Sequence, residues 1–216
     1  MRAAPGSVEQ ITDAWRCITL DAFVEQLAPV CAGTRVIGVD GRSGGGKSTF
    51  ADHLKSRIPN SAIVHTDDVA WNYSMFDWTG VLIDHIIRPV KNGEPIHYQP
   101  PGWARDGRAG AIEIPGRLDT LVIEGIGAGR RELSQLVDVL IWIQSDFQLA
   151  RERGIARDIA NGMNGDAEQC REFWDWWMAA ELLFFEEHQP WSRAHVIVAG
   201  TSVEACIKPG EVAIQP

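Results

Sequence analysis

A chain of 216 residues, 45% of them hydrophobic, is long enough to bury one substantial core and reads as a single domain. Its 20 Lys and Arg against 29 Asp and Glu give a formal charge of −9, which leaves no basic surface for a phosphate backbone or an anionic membrane. No basic-then-apolar leader opens the chain, and no apolar run reaches the roughly 18 residues of a membrane span, so the expectation is a cytoplasmic protein with neither nucleic acid nor membrane as partner.

In chain order, Ser7 to Cys31 carries Val8, Ile11, Trp15, Ile18, Phe23 and Leu27 at roughly helical spacing. This predicts a helical lead-in over residues 1–34, broken near Thr19 and Asp21. Arg35 to Asp40 reads as a Val- and Ile-rich strand, a glycine-dense turn follows, and Lys47 to Arg57 forms a helix ended by Pro59. Further strands fall at Ala62–Thr66, Leu121–Glu124, Val137–Gln144 and His195–Val198, with helices at Thr79–Ile87, Asp146–Ala160 and Asp166–His188. Strands alternating with helices predict a three-layer α/β fold, a parallel five-stranded sheet with helices on both faces. Lys91 to Gly116 is too long for an ordinary connection and is expected to be a lid or hairpin. Cys17, Cys31, Cys170 and Cys206 form no Cys-x-x-Cys pair, a usage that fits reduced structural thiols better than zinc or a disulfide framework.

The segment Gly41-Arg42-Ser43-Gly44-Gly45-Gly46-Lys47-Ser48 satisfies the Walker A pattern G-x-x-x-x-G-K-[ST] between a predicted strand and a predicted helix. The glycines allow backbone N–H groups to turn inward around phosphate oxygens at a helix N-terminus. Gly41, Ser43, Gly44, Gly45, Gly46, Lys47, Ser48 and Thr49 are therefore the expected nucleotide-binding set. Lys47 would reach the β and γ phosphates, and the Ser48 hydroxyl would ligate Mg²⁺. Magnesium takes oxygen ligands, and Glu124, at the end of an apolar strand, is the second metal candidate. Asp67 and Asp68 follow the strand ending at Thr66; Asp67 is the expected catalytic base, the alternative being that the pair merely caps a helix. Of Arg151, Arg153 and Arg157, only Arg153 and Arg157 share a helix face. They are candidates for a clamp on the transferring group, against the alternative of a solvated face paired with Glu152 and Asp158. Phe173, Trp174, Trp177, Met178 and Phe184 fall at three- and four-residue steps and are expected to be mostly core or a homodimer surface. Tyr98 and Trp103, lying in the excursion, are candidates for the acceptor pocket, and His65, His97 and His188 read as neutral structural histidines.

As an ordered set, these segments resemble the uridine kinase and phosphoribulokinase branch of the P-loop kinases, from Arg35 to Thr201. Thr66-Asp67-Asp68 is similar to that family's acidic turn with the catalytic Asp, and Val122-Ile123-Glu124-Gly125-Ile126 to its third strand. Phe76-Asp77-Trp78 is similar to a segment bordering the acceptor pocket. Pro95-Ile96-His97-Tyr98 and Trp103-Ala104-Arg105-Asp106 resemble a hairpin that closes over the nucleoside base. The resemblance implies a P-loop fold and transfer of the γ-phosphoryl group of ATP, with Mg²⁺, to the hydroxyl of a small-molecule alcohol, a nucleoside first. It also implies that Asp77, Tyr98, Trp103 and Arg105 line the acceptor pocket, and that residues 146–165 form an Arg-bearing lid. Two departures stand out. Pro101-Gly102 replaces a common Tyr-Asp pair, so uridine and cytidine are expected to be poor substrates, and Ala160-Asn161-Gly162-Met163 lacks the family's Arg-Gly. A kinase of a sugar or pantothenate-like alcohol, or an assembly ATPase with no small acceptor, are the alternatives, and ATP is not distinguished from GTP.

Overall fold

The computed structural model describes residues 1–27, 33–71, 73–203, 206 and 208–215. Arg35–Gly41 (β2) is buried along its whole length, as a strand covered on both faces must be. It pairs in parallel with Thr120–Glu124 (β6) on one side and Val139–Gln144 (β7) on the other. Ser61–His65 (β3) adds to β6 and Val196–Ala199 (β8) to β7, both parallel. Alternate residues of β2 feed opposite cores. Val36 joins Leu121, Ile123, Trp78 and Ile87 on one face, while Ile37 and Val39 join Val122, Ile141, Phe50 and Leu54 on the other. That alternation makes the three layers.

Among the described residues, the sheet has seven strands rather than the five expected. Beyond the five parallel strands, Glu211–Ile214 (β9) pairs antiparallel with β8, and Arg16–Thr19 (β1) antiparallel with β9. The helical reading of the lead-in therefore fails over most of its length. Among the described residues of the lead-in, only Leu20–Gln26 (α1) is helical, with the Thr19 hydroxyl capping it by accepting from the Ala22 N–H at 3.1 Å. Ahead of β1 the chain runs as a strap across the sheet, where Val8 is 55% exposed while Glu9 is buried. The apparent helical stripe misled because the buried side chain there is a carboxylate with specific partners. Glu9 accepts from Trp142 Nε1 at 2.7 Å, Gln144 Nε2 at 3.1 Å and Arg42 Nη2 at 3.1 Å.

The expectation of reduced thiols is corrected by the same strand pairing: Cys17 in β1 and Cys206, just before β9, form a disulfide. Their separation of 189 residues hid a proximity that only the β1–β9 pairing creates. Cys170 is a free, buried thiol, and Cys31 lies outside the described residues.

Lys47–Arg57 (α2) and a short helix, Thr66–Ala70 (α3), follow β2 and β3. The predicted helix at Thr79 extends further than expected, as Thr79–Leu82 (α4), a π-helical turn at Ile83–Ile87 and Arg88–Lys91 (α5). The excursion is a hairpin, Ile96–Tyr98 (β4) paired with Ile112–Ile114 (β5), with Pro101–Arg105 (α6) between them. Phe147–Ala160 (α7) starts at an Asp146 cap, and Ala167–His188 (α8) at a capping box made by Asp166 and Gln169.

Asp40, fully buried at the end of β2, accepts backbone N–H bonds from Gly41, Gly127 and Gly129 at 2.7, 3.1 and 2.8 Å. It ties the phosphate loop to the turn after β6. Burial pushes its carboxyl up to about 7, against the pull of these donors and of Lys47.

Candidate active site

The glycine-dense turn sits at the carboxyl end of β2, where open α/β sheets place ligands. Gly44 and Gly46 have φ of +71° and +96°, values that favour glycine. A Cβ at Gly44 would also run into the backbone carbonyl of Ala150 on α7. Glycine there serves both the turn and the close approach of α7. Lys47 is buried, and its ammonium donates to the Arg42 carbonyl at 3.0 Å.

Parallel pairing of β3 with β6 sets His65 opposite Glu124. The Glu124 carboxylate lies 2.5 Å from His65 Nδ1 through one oxygen and accepts from the Ser48 hydroxyl at 3.2 Å through the other. Burial alone would raise Glu124, but His65, Lys47 and Ser48 outweigh it and hold the carboxyl below its usual range. His65 is raised in turn, by its hydrogen bond to Glu124. The expectation of a merely structural histidine is corrected at His65 by its contact with Glu124. A partner three strands on in sequence, but adjacent in register, was the missing signal. His188 keeps to that expectation, since burial lowers it. Ser48 and Glu124 present hard oxygen donors beside the phosphate loop, a set that suits Mg²⁺.

The two acids after β3 part company. Asp67, in the first turn of α3, lines the cavity above the phosphate loop, and burial pushes its carboxyl up against the opposing pull of Lys47. Asp68 instead faces the hairpin, accepting from Arg108 Nη2 at 2.7 Å and, through its carbonyl, from Trp103 Nε1 at 2.9 Å. The residue at the cap position of α3 is His65, so neither acid is the helix cap.

The arginines of α7 divide in the same way. Arg153 and Arg157 line the cavity with Ser43, Gly44, Gly45, Gly46, Lys47, Ser48 and Thr49. Arg153 donates to the Gly200 carbonyl at 3.1 Å and Arg157 to Asp158 at 2.8 Å. Arg151 points elsewhere and pairs with Asp175.

The four acceptor candidates are not brought to this cavity. Trp103 is 5% exposed within the core, under the guanidinium of Arg108 at 3.6 Å. Tyr98 stacks on His85 with centroids 4.3 Å apart. Asp77 is exposed, and Arg105 is exposed beside Asp106 at 3.2 Å. The wall is supplied instead by α8: Phe173, Trp174 and Trp177, with Ile126 and Met163. The expectation that the α8 stripe is mostly core or dimer surface holds for Trp174, Met178 and Phe184, which are buried, and is corrected for Phe173 and Trp177, whose accessible rings face the cavity. Periodicity identifies the apolar face of a helix, not what that face meets.

Sequence reasoning also missed the buried cluster beneath the loop. Arg42, 2% exposed, lies between Glu9 at 3.1 Å and Glu181 at 3.8 Å. Glu181 accepts from the Ser43 N–H at 2.7 Å, and burial raises its carboxyl.

A mostly parallel α/β sheet with this loop at the end of its central parallel strand is the P-loop kinase fold. No protein-family model matches the chain. It is 26% identical over 144 residues to uridine-cytidine kinase B of Dictyostelium discoideum, a match covering 58% of this chain and 58% of that protein. It is 23% identical over 142 residues to uridine kinase of Staphylococcus epidermidis, covering 58% of this chain and 69% of the relative. A solved structure described as a candidate uridine kinase from Bacillus stearothermophilus superimposes with a TM-score of 0.50 and 19% identity, over 82% of this chain and 96% of that one. Another, described as a candidate fructose transport system kinase from Silicibacter sp. TM1040, gives a TM-score of 0.54 and 22% identity, over 71% and 88%. The chain thus resembles the uridine kinase-like branch of the P-loop kinases.

Proposed function

We propose that this protein transfers the γ-phosphoryl group of ATP to a hydroxyl of a small alcohol, a nucleoside in the first instance. One observation carries the reading: Lys47, Ser48, Asp67, Glu124, Arg153 and Arg157, drawn from four separate elements, converge on one cavity of about 610 Å³. Backbone N–H groups of the loop and the Lys47 ammonium hold the phosphates. Ser48 and Glu124 hold Mg²⁺, which supplies charge neutralisation on the phosphate oxygens when bound. Asp67 accepts the proton of the acceptor hydroxyl; its burial raises its basicity, which suits a general base. Arg153 and Arg157 lie where they can stabilise charge on the transferring group, since phosphoryl transfer depends mainly on positioning and electrostatics. The assignment to the cytoplasm belongs to the same reading.

The test is ATP consumption measured against nucleosides, sugars and pantothenate-like alcohols, with a control lacking acceptor. Acceptor-dependent ADP release supports the kinase. Hydrolysis that ignores every acceptor would replace it with a nucleotide-dependent switch or assembly ATPase.

A further inference from the structure

The cavity above the phosphate loop has one wall that phosphate chemistry does not use. Phe173 and Trp177, one helical turn apart on α8, both line it, with rings within 10° of parallel and centroids 6.5 Å apart. Neither ring is absorbed into the core: Phe173 is 36% exposed and Trp177 half-buried. Yet Trp177 is held fast. Its indole N–H donates to the Ser43 hydroxyl at 2.8 Å, and the Phe76 ring packs on it at 6.0 Å. Trp176 packs on both rings, at 5.7 and 6.5 Å. Accessible aromatic faces, oriented in advance by a hydrogen bond and by neighbouring rings, can stack a flat ligand at little ordering cost.

Two ligands could bring a flat ring here, the nucleotide base or the acceptor. A second cavity, of about 330 Å³, opens beside the phosphate loop between Thr49, His53, Arg153 and the Gly200–Val203 turn. It shares Gly46, Thr49 and Arg153 with the first, and so offers the base a seat away from Asp67. The α8 wall shares its cavity with Asp67 itself. We propose, on the kinase reading above, that Phe173 and Trp177 are the platform on which the acceptor stacks. The substrate is then an alcohol bearing a planar unsaturated ring, a nucleoside or an aryl-type alcohol, and not a free sugar. This recognition comes from the helix after the lid rather than from the hairpin, whose Trp103 and Tyr98 are committed to Asp68, Arg108 and His85.

The experiment is steady-state ADP release with uridine, adenosine and benzyl alcohol against fructose, ribose and glycerol. It is run on the full chain and on Phe173→Ala, Phe173→Tyr and Phe173→Leu. Ring-bearing acceptors should be preferred. Phe173→Ala and Phe173→Leu should raise their KM by about tenfold, the scale of one lost stacking contact, with the KM for ATP unchanged, and Phe173→Tyr should restore it. Leu183→Ala, at a 72% exposed position on α8, should behave as the parent chain. Preference for fructose or ribose, with Phe173→Ala neutral, would leave the kinase standing and overturn the platform. A rise in the KM for ATP instead would assign the wall to the nucleotide base and equally overturn it. Turnover with neither class of acceptor would defeat the kinase reading, and this inference with it.

Discussion

The indole N–H of Trp177 reaches the hydroxyl of Ser43 at 2.8 Å, so the long helix α8 grips the phosphate loop directly. One turn further along, Glu181 accepts from the Ser43 backbone N–H and faces the buried guanidinium of Arg42. Glu9 of the N-terminal strap closes on Arg42 from another side. The loop conformation is thus held by two segments distant in sequence, α8 and the N-terminal strap, as well as by its own glycines.

Glu181→Ala should therefore cost far more than a surface change. Removing one partner of a buried charge leaves the other uncompensated, an effect of about 3–5 kcal/mol. Denaturant unfolding should show the loss in the midpoint at unchanged m-value. A midpoint equal to that of the parent chain would mean that Glu9 alone satisfies Arg42.

Lys47→Ala should abolish turnover, because its ammonium is the loop's positive charge toward the phosphates. The structure adds a consequence that a loop lysine would not suggest. Lys47 is buried and bonded to the Arg42 carbonyl, so a modest fall in melting temperature should accompany the loss. Calorimetric titration of ATP with Mg²⁺ checks the first expectation, and undiminished affinity together with undiminished turnover would refute the phosphate-loop assignment.

Asp67→Asn should slow single-turnover transfer by roughly two to four orders of magnitude, the scale of a lost general base, with ATP affinity little changed. Asp68→Asn should slow it less and act on stability, since Asp68 pairs with Arg108. The opposite ranking in rapid-quench measurements would transfer the base to Asp68.

The parallel core and the phosphate loop were legible because each rests on local pattern: Val- and Ile-rich runs, and glycines directly before a helix. Asp67, the proposed base, could be picked out for the same reason, since it follows directly on a Val- and Ile-containing strand. What escaped depends on pairing between distant segments. β1 and β9 form an antiparallel edge that neither sequence advertises alone, and the Cys17–Cys206 link follows from it. His65 owes its raised pKa first to the register that sets it opposite Glu124. The acceptor residues were misplaced because an aromatic ring among Gly and Pro suggests an open loop, while α6 folds Trp103 back into the core.

Stability should depend on acid through Asp146, the cap of α7. The bidentate Arg2 side chain holds its carboxyl down at about 2, helped by the N–H groups of Leu149 and Arg2. For a carboxyl depressed on folding, the stabilisation is fully present above the ordinary value near 3.8 and drains away as pH falls toward about 2. Asp146→Ala should lose about 1 kcal/mol of cap at neutral pH and show a flatter melting profile between pH 5 and 2. Parallel acid profiles for the two proteins would show that Arg2 does not engage Asp146 in solution. The same variant frays the start of the helix that carries Arg153 and Arg157, so its kcat should fall as well.

Trp103 separates the hairpin's two conceivable roles. Its ring is buried with Val36, Ile86, Ile87 and Leu121, its indole N–H is spent on the Asp68 carbonyl, and Arg108 covers its outer face. Trp103→Ala therefore removes core packing, at a cost of about 3–5 kcal/mol, and leaves the Asp68 carbonyl and Arg108 short of a partner. The melting temperature should drop sharply, while the acceptor KM, measured well below the transition where the variant is folded, stays near that of the parent chain. Trp103→Phe should recover part of the stability, since it refills most of the volume but restores no hydrogen bond. A large rise in acceptor KM at unchanged melting temperature would instead return the acceptor to the hairpin, as the likeness to nucleoside kinases first suggested, and would count against Phe173 and Trp177 as its platform.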